Sequence, residues 1–233
     1  MSDTKLNGRL CSAASFVRQR AVLADIGTDH AYLPIFLASE GVIDRAYATD
    51  INKGPLEKAK ENISRAGLCD KIECILTDGA EKLSDLGITD YTVCGMGGEL
   101  IADIISRAPQ LSSPEVRLIL QPMSKQAHLR AYLLGAGFSI IAEAYSSDSG
   151  KDYVTLVAEY SGVCRFASEA ECELPLSGTP LHGKDSMLRY YKTKSTSLHR
   201  ALEGRQRGGD SSPEAASVAE RIDAFITQIE NFT

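Results

Sequence analysis

The chain has no tryptophan, and aromatic residues make up only 6% of its 233 positions. Its interior must therefore be filled mainly by aliphatic side chains. No apolar run approaches the about 18 residues that a membrane-spanning helix needs, so no membrane partner is expected. The first ten residues, MSDTKLNGRL, lack the apolar stretch of a secretory signal. The six cysteines (Cys11, Cys69, Cys74, Cys94, Cys164 and Cys172) include no C-x-x-C pair, and the four histidines are far apart. That scatter speaks against a zinc site, or any metal site, and against a disulfide frame. It favours reduced thiols in a cytoplasm. No internal repeat with a period of about 20–50 residues is visible, which excludes a solenoid.

What is present is ordinary in bulk and uneven in detail. Hydrophobic content of 43% and charged content of 24% are globular values. The net charge of −6 argues against indiscriminate nucleic-acid binding. Between Lys184 and Arg207, however, seven basic residues stand against two acids, a local excess of five positive charges in an otherwise acidic chain. Such a run is either a solvated helix face or a place for phosphates.

Apolar periodicity predicts an amphipathic helix over 5–20, followed by alternating strands and helices. Strands are expected at 21–27, 45–51, 72–78, 91–96 and 116–123. Helices are expected after 31, over 54–67 with Pro55 at its start and Gly67 at its end, over 98–108, and over 124–137 with Ser124 as N-cap. Past Gly137 the rhythm changes to two β-rich runs joined by a Ser-Gly-Lys turn, which read as an antiparallel pair. A linker with Pro and Gly (175–183) leads to a helix over about 184–204, a turn through GRQRGGDSSPE, and a second helix over 214–230 with an apolar stripe. The reading is an α/β fold, a Rossmann-like class I methyltransferase sheet. It has seven mostly parallel strands, an antiparallel terminal strand and a C-terminal helical hairpin, divided into domains at 1–163 and 164–233.

In such a sheet the ligand lies beyond the carboxyl ends of the strands, where the strand order reverses. The first strand runs into DIGTDHAYLP (25–34), which has the form of a nucleotide-binding loop, with Gly27 where backbone meets ligand. A dinucleotide loop wants a second glycine where this chain has Asp29. Beside a pyrophosphate that carboxylate would cost about 4 kcal/mol per pair of like charges at about 4 Å and an effective dielectric of about 20. S-adenosylmethionine carries a sulfonium and an ammonium and no phosphate, so Asp25 and Asp29 would attract it. Asp50 closes the second strand, where a carboxylate can accept ribose hydroxyls, and Asp78-Gly79 closes the third, where adenine would be held. Each acid alone could equally be a cap or turn residue; together they point to the cofactor. VCGMGGEL (93–100) packs three glycines into four residues, which suits close passage past a flat substrate and the reacting methyl; a flexible turn is the plainer reading. Gln121 could offer an amide in the same crevice or simply end its strand, and His30 could contact ligand or merely pack.

The segments DIGTDHAYLP, ATD (48–50), TDGAEKL (77–83), GMGGELI (95–101) and LQPM (120–123) resemble the bacterial tRNA (adenine(22)-N(1))-methyltransferase family, TrmK, from about Leu6 to Tyr160. Thr28 stands where that family usually has serine. The resemblance implies methyl transfer from S-adenosylmethionine to N1 of a tRNA adenine, with tRNA as partner. It implies cofactor contacts from Asp25, Gly27, Asp29, Asp50, Asp78, Gly79 and Gly95, and a catalytic role for Asp29 or His30. Substrate contacts would come from Met96, Gly97, Gly98 and Gln121. Arg9, Arg189, Lys192, Lys194 and Arg200 would meet RNA phosphates. Two rivals share the fold: a methyltransferase for a small molecule, and a non-catalytic cofactor-binding module whose hairpin recruits a partner. A nicotinamide dehydrogenase is disfavoured by the electrostatics of Asp29. The sequence leaves the oligomeric state open, with a monomer among the options.

Overall fold

Along the central strands, side chains divide by parity between two faces. In the strand Arg117–Ser124, Leu118 and Leu120 enter one apolar cluster while Ile119 enters another; in Ala21–Ile26, Leu23 goes one way and Ala24 and Ile26 the other. A period of two with both faces apolar is what a parallel sheet covered by helices on each side requires. The computed structural model describes residues 6–207 and 212–231. Its elements are α1 (Gly8–Ala14), β1 (Ala21–Ile26), α2 (Tyr32–Ser39), β2 (Ile43–Asp50), α3 (Lys53–Ala66), β3 (Ile72–Leu76), β4 (Asp90–Gly97), α4 (Gly98–Ser106), β5 (Arg117–Ser124), α5 (Gln126–Gly135), β6 (Phe138–Asp148), β7 (Lys151–Tyr160), β8 (Leu181–His182), α6 (Lys184–Arg207) and α7 (Pro213–Asn231).

The sheet order is β3-β2-β1-β4-β5-β7-β6-β8, and the order reverses between β1 and β4. Seven strands form the expected sheet, with β7 antiparallel and inserted between β5 and β6. The count needs correcting to eight: two linker residues, Leu181 and His182, pair parallel with β6, secured by Glu143 N donating to Pro180 O at 2.9 Å. Helices α1, α2 and α3 cover one face; α4, α5 and the α6–α7 hairpin cover the other.

Three helix expectations are also corrected. The helix expected over 5–20 is confined to Gly8–Ala14, because Arg18 is claimed from a distance: its backbone N and its Nε donate to the buried Asp90 carboxylate at 2.9 and 2.8 Å. Ser124 is the last residue of β5 and not an N-cap; Lys125, in the left-handed region at φ 56°, precedes α5 instead. Helix α6 runs on to Arg207, through part of the expected turn, and residues 208–211 of that turn lie outside the described residues.

The hairpin shares a core with the sheet. Tyr191, Val218, Ile222 and Ile229 belong to the same buried cluster as Leu118 and Leu156. Beneath them lies a buried polar network. Arg130 on α5 donates twice to Glu143 on β6, at 2.9 and 2.7 Å, with both side chains 0% exposed. Tyr145 donates to the same carboxylate at 2.9 Å, its hydroxyl lies 3.1 Å from that of Tyr191 on α6, and Arg130 also reaches Cys172 O at 3.1 Å. Two parts of the chain that the sequence separates are thus tied by one fully desolvated ion pair and its satellites.

Candidate functional site

The carboxyl ends of β1, β2, β3 and β4 meet at the reversal point, and parity decides which side chains face it. Asp25 follows Leu23 onto the α1 side and pairs in register with Thr92 of β4, whose hydroxyl donates to its Oδ1 at 2.7 Å. Only 7% of Asp25 is exposed. Burial pushes its carboxyl above the ordinary 3.8, opposed by the hydrogen bond from Thr92 and by the charge of Arg9. Cys94, two residues beyond Thr92, is held protonated by burial first and by Asp25 second, so it is no thiolate nucleophile.

The loop after β1 turns on Gly27 at φ 71° and on Ala31, a left-handed residue at φ 56° that opens α2. A Cβ on Gly27 would stand 2.0 Å from the terminal methyl of Met96, so the Met96 side chain from β4 lies directly on the loop. The Asp29 side chain is 80% exposed, with its Oδ2 3.5 Å from Nε2 of His30. His30 stacks on Tyr32 at 5.2 Å between centroids, and its carbonyl accepts from Asn62 at 3.0 Å. Asp50, at the end of β2, accepts from Asn52 N at 2.7 Å through one oxygen. These residues lie at the carboxyl ends of β1 and β2.

Others do something different. Asp78 carries a bidentate ion pair with Arg107 at 3.2 and 3.3 Å, and Arg107 also binds Glu81 and Asp103. Arg107 lies just past α4 with no motif around it, so the sequence offered no signal for it. Gln121 is fully buried: its Oε1 accepts from Arg9 Nη1 at 2.8 Å and from Gly95 N at 3.1 Å, so it orders the crevice from below. Gly95 is exposed at φ 84°, whereas Gly98 is buried, and a Cβ there would lie 2.3 Å from Lys125 O. The glycine run therefore serves packing at one end and access at the other. Gly98→Ala is expected to cost about 1–3 kcal/mol by overpacking against fixed backbone. Thermal melting checks this, with Gly54→Ala on α3, where nothing lies within 4 Å, as the control; equal melting of the two variants would contradict it.

The basic helix is largely neutralised. Lys192 pairs with Glu230 of α7 at 2.6 Å, Lys194 with Glu173, and Arg189 with Asp152 at 3.3 Å. Desolvation lowers the Lys194 pKa, with Glu173 opposing. Arg200 is exposed and has no ion pair among the described residues. Between the end of β5, the β6–β7 turn and α6 lies a cleft of about 590 Å³ lined by Pro122, Met123, Lys151, Tyr153, Tyr190 and Lys194.

The donor set fits a sulfonium amino-acid nucleoside. Carboxylates end β1 and β2, a left-handed glycine sits at the crevice, and the buried Thr77 hydroxyl, at the end of β3, has no hydrogen-bond partner among the described residues. Asp25, Asp29 and Asp50, with Gly27 and Thr77, are the residues that would hold such a cofactor. Among the described residues no group of three potential metal ligands occurs, and no helix is long and apolar enough to cross a membrane.

Comparison with known proteins agrees with this geometry. A family model described as a methyltransferase domain matches residues 6–156. The tRNA (adenine(22)-N(1))-methyltransferase of Bacillus subtilis (strain 168) is 36% identical over 159 residues, covering 68% of this chain and 67% of that protein. The crystal structure of Streptococcus pneumoniae Sp1610 in complex with S-adenosyl-L-methionine superposes with a TM-score of 0.76 at 32% identity, over 95% of this chain and 97% of that one. M. capricolum TrmK in complex with S-adenosyl-homocysteine gives 0.72 at 26% identity, over 97% of each chain. Sheet order, crevice and sequence identity converge, and the chain belongs to the bacterial tRNA (adenine(22)-N(1))-methyltransferase family.

Proposed function

We propose that this protein transfers a methyl group from S-adenosylmethionine to N1 of adenine 22 in tRNA, in the cytoplasm. The observation that carries the reading is the set of carboxylates at the reversal point, a place that favours a cationic donor and disfavours a pyrophosphate. When bound, S-adenosylmethionine supplies an electrophilic methyl on a positively charged sulfur. Asp25 and Asp29 provide the negative charge that retains it, and Asp50 keeps one carboxylate oxygen for ribose hydroxyls.

The acceptor N1 has its own lone pair, so no strong base has to act before attack, and the protein's task is to position the base and exclude water. Positive charge develops on the adenine ring. The exposed Gly95 backbone and the Asp29–His30 pair are the groups assigned to stabilise it. N1 is hidden in paired RNA, so the adenine has to be unpaired or flipped out to reach the crevice. The cleft between the sheet and α6, with Tyr153, Tyr190 and Lys151, lies beside the β5 end of that crevice and is assigned to RNA flanking the target. The division into a catalytic part (1–163) and an RNA-directed hairpin (164–233) follows from this assignment.

Because most cations of α6 are already paired, only a few phosphate contacts are expected. Affinity for tRNA should fall by about 10- to 100-fold between about 50 and about 200 mM salt, and Arg200→Glu should weaken binding with little effect on cofactor affinity. Filter binding across a salt series measures both. The activity itself is tested by mass spectrometry of unmodified tRNA incubated with the protein and labelled cofactor. N1-methyladenine at position 22 is expected; label on another base, or no label in RNA, contradicts the proposal.

A further inference from the structure

Helix α6 walls the cleft beside the β5 end with Tyr190, Thr193, Lys194 and Ser197, a spacing that places all four on one helix face. Tyr190 is held rigid by two edge-on aromatic contacts, with Tyr145 at 5.4 Å and with Tyr191 at 5.1 Å between centroids. Its hydroxyl, by contrast, has no hydrogen-bond partner among the described residues. Lys194, one turn on, brings its Nζ to 5.9 Å from the Tyr190 ring centroid, with its side chain only 24% exposed. Glu173 engages that ammonium, which carries three N–H donors and so keeps two in reserve. A partly desolvated cation and an unpartnered phenol thus border one cavity, the mark of a recognition site and not of plain packing.

Position limits what the cavity can receive. Pro122, on its β5 wall, pairs in register with Met96 of the glycine run, and neighbouring strands lie about 5 Å apart. The cleft is therefore one strand away from the crevice that takes the target adenine, within reach of the next nucleotide along the RNA. Charge then decides which part of that nucleotide enters. Lys151 and Lys194 border the cleft, but so does Asp152, and Glu173 stands against Lys194. A phosphate drawn inside would shed its water and face those two acids. A neutral base escapes that repulsion, finds an apolar contact in Met123, which is 46% exposed, and leaves its phosphate outside in solvent. A volume of about 590 Å³ lies within the range of small-ligand sites.

Resting on the tRNA reading above, we propose that this cleft is a second nucleobase site. It takes the unstacked base next to the target adenine and reads its carbonyl-bearing edge through Lys194 Nζ and the Tyr190 hydroxyl. The test is methyl-transfer kinetics on tRNA transcripts that lack the base on one side or the other of adenine 22 and keep every phosphate. With the wild-type chain, one of the two abasic tRNAs should raise KM by about 10-fold and leave kcat within about twofold. Tyr190→Phe keeps the ring and its packing; it should raise KM for intact tRNA by about 3- to 10-fold and add nothing on that abasic tRNA. Lys194→Gln should show the same loss and the same non-additivity, and it serves if the first variant does not fold. Unchanged KM with both abasic tRNAs would overturn the proposal. So would a variant penalty that persists in full on abasic tRNA, which marks a phosphate contact. A fall in kcat together with melting temperature in both variants would also overturn it, as the sign of a structural role. Failure of the wild type to methylate intact tRNA would overturn the tRNA reading itself, and this site with it.

Discussion

Glu143→Ala is expected to destabilise the protein by about 3–5 kcal/mol, because it leaves the Arg130 guanidinium charged and unpaired in a fully buried position. Tyr145 loses its acceptor in the same step, and through Tyr191 the loss reaches α6. For a chain of this size the melting temperature should drop by roughly 10–15 °C. The double variant Arg130→Met/Glu143→Leu removes both charges and should recover most of the loss, since replacing a buried ion pair with apolar volume is often neutral. Scanning calorimetry on the three chains decides it. A single variant that melts within about 2 °C of the wild type would show that the pair does not hold the hairpin to the sheet.

Asp25→Asn acts on the ligand. A carboxylate about 4 Å from a cation at an effective dielectric of about 20 contributes about 4 kcal/mol, so removal of its charge should weaken S-adenosylmethionine binding by about a thousandfold. Asparagine keeps the size and can still accept from Thr92, so the fold should survive. The pH dependence carries the same signature. Burial raises the folded-state pKa of Asp25 above 3.8. The folded apo chain therefore holds this proton to higher pH than the unfolded chain does. The group's contribution to stability is present at low pH and is lost as pH rises from 3.8 through the raised value. Cofactor affinity runs the other way and grows over that window, as the carboxylate ionises. In Asp25→Asn that pH dependence should flatten; an unchanged profile would assign the ionisation to another group.

The strand–helix alternation was legible because a strand buried on both faces must be apolar throughout, as in VLADI and LILQP. The reversed strand was legible because no crossover helix separates 138–148 from 151–160. What escaped was non-local. The insertion of β7 between β5 and β6, and the recruitment of residues 181–182 as an eighth strand, depend on pairing partners that no local pattern names. The shortened α1 depends on Asp90, which takes Arg18 across 72 positions.

In the site, Asp25, Asp50 and the Gly27 turn could be read because strand ends and loop glycines carry local signals. Arg107's hold on Asp78 and Arg9's on Gln121 could not, since each joins residues remote in sequence. The basic segment 184–207 shows the same limit on charge counting. Its lysines were legible, but the acids that neutralise them, Glu173 and Glu230, arrive from other parts of the chain.

The central claim is that the reversal point of this sheet is an anionic receptor for a cationic methyl donor. Isothermal titration of the full chain with S-adenosylmethionine and, separately, with a nicotinamide dinucleotide tests it most directly. Saturable binding of the sulfonium compound is expected, with no measurable heat from the pyrophosphate. Tight binding of the dinucleotide, with none of S-adenosylmethionine, would contradict it.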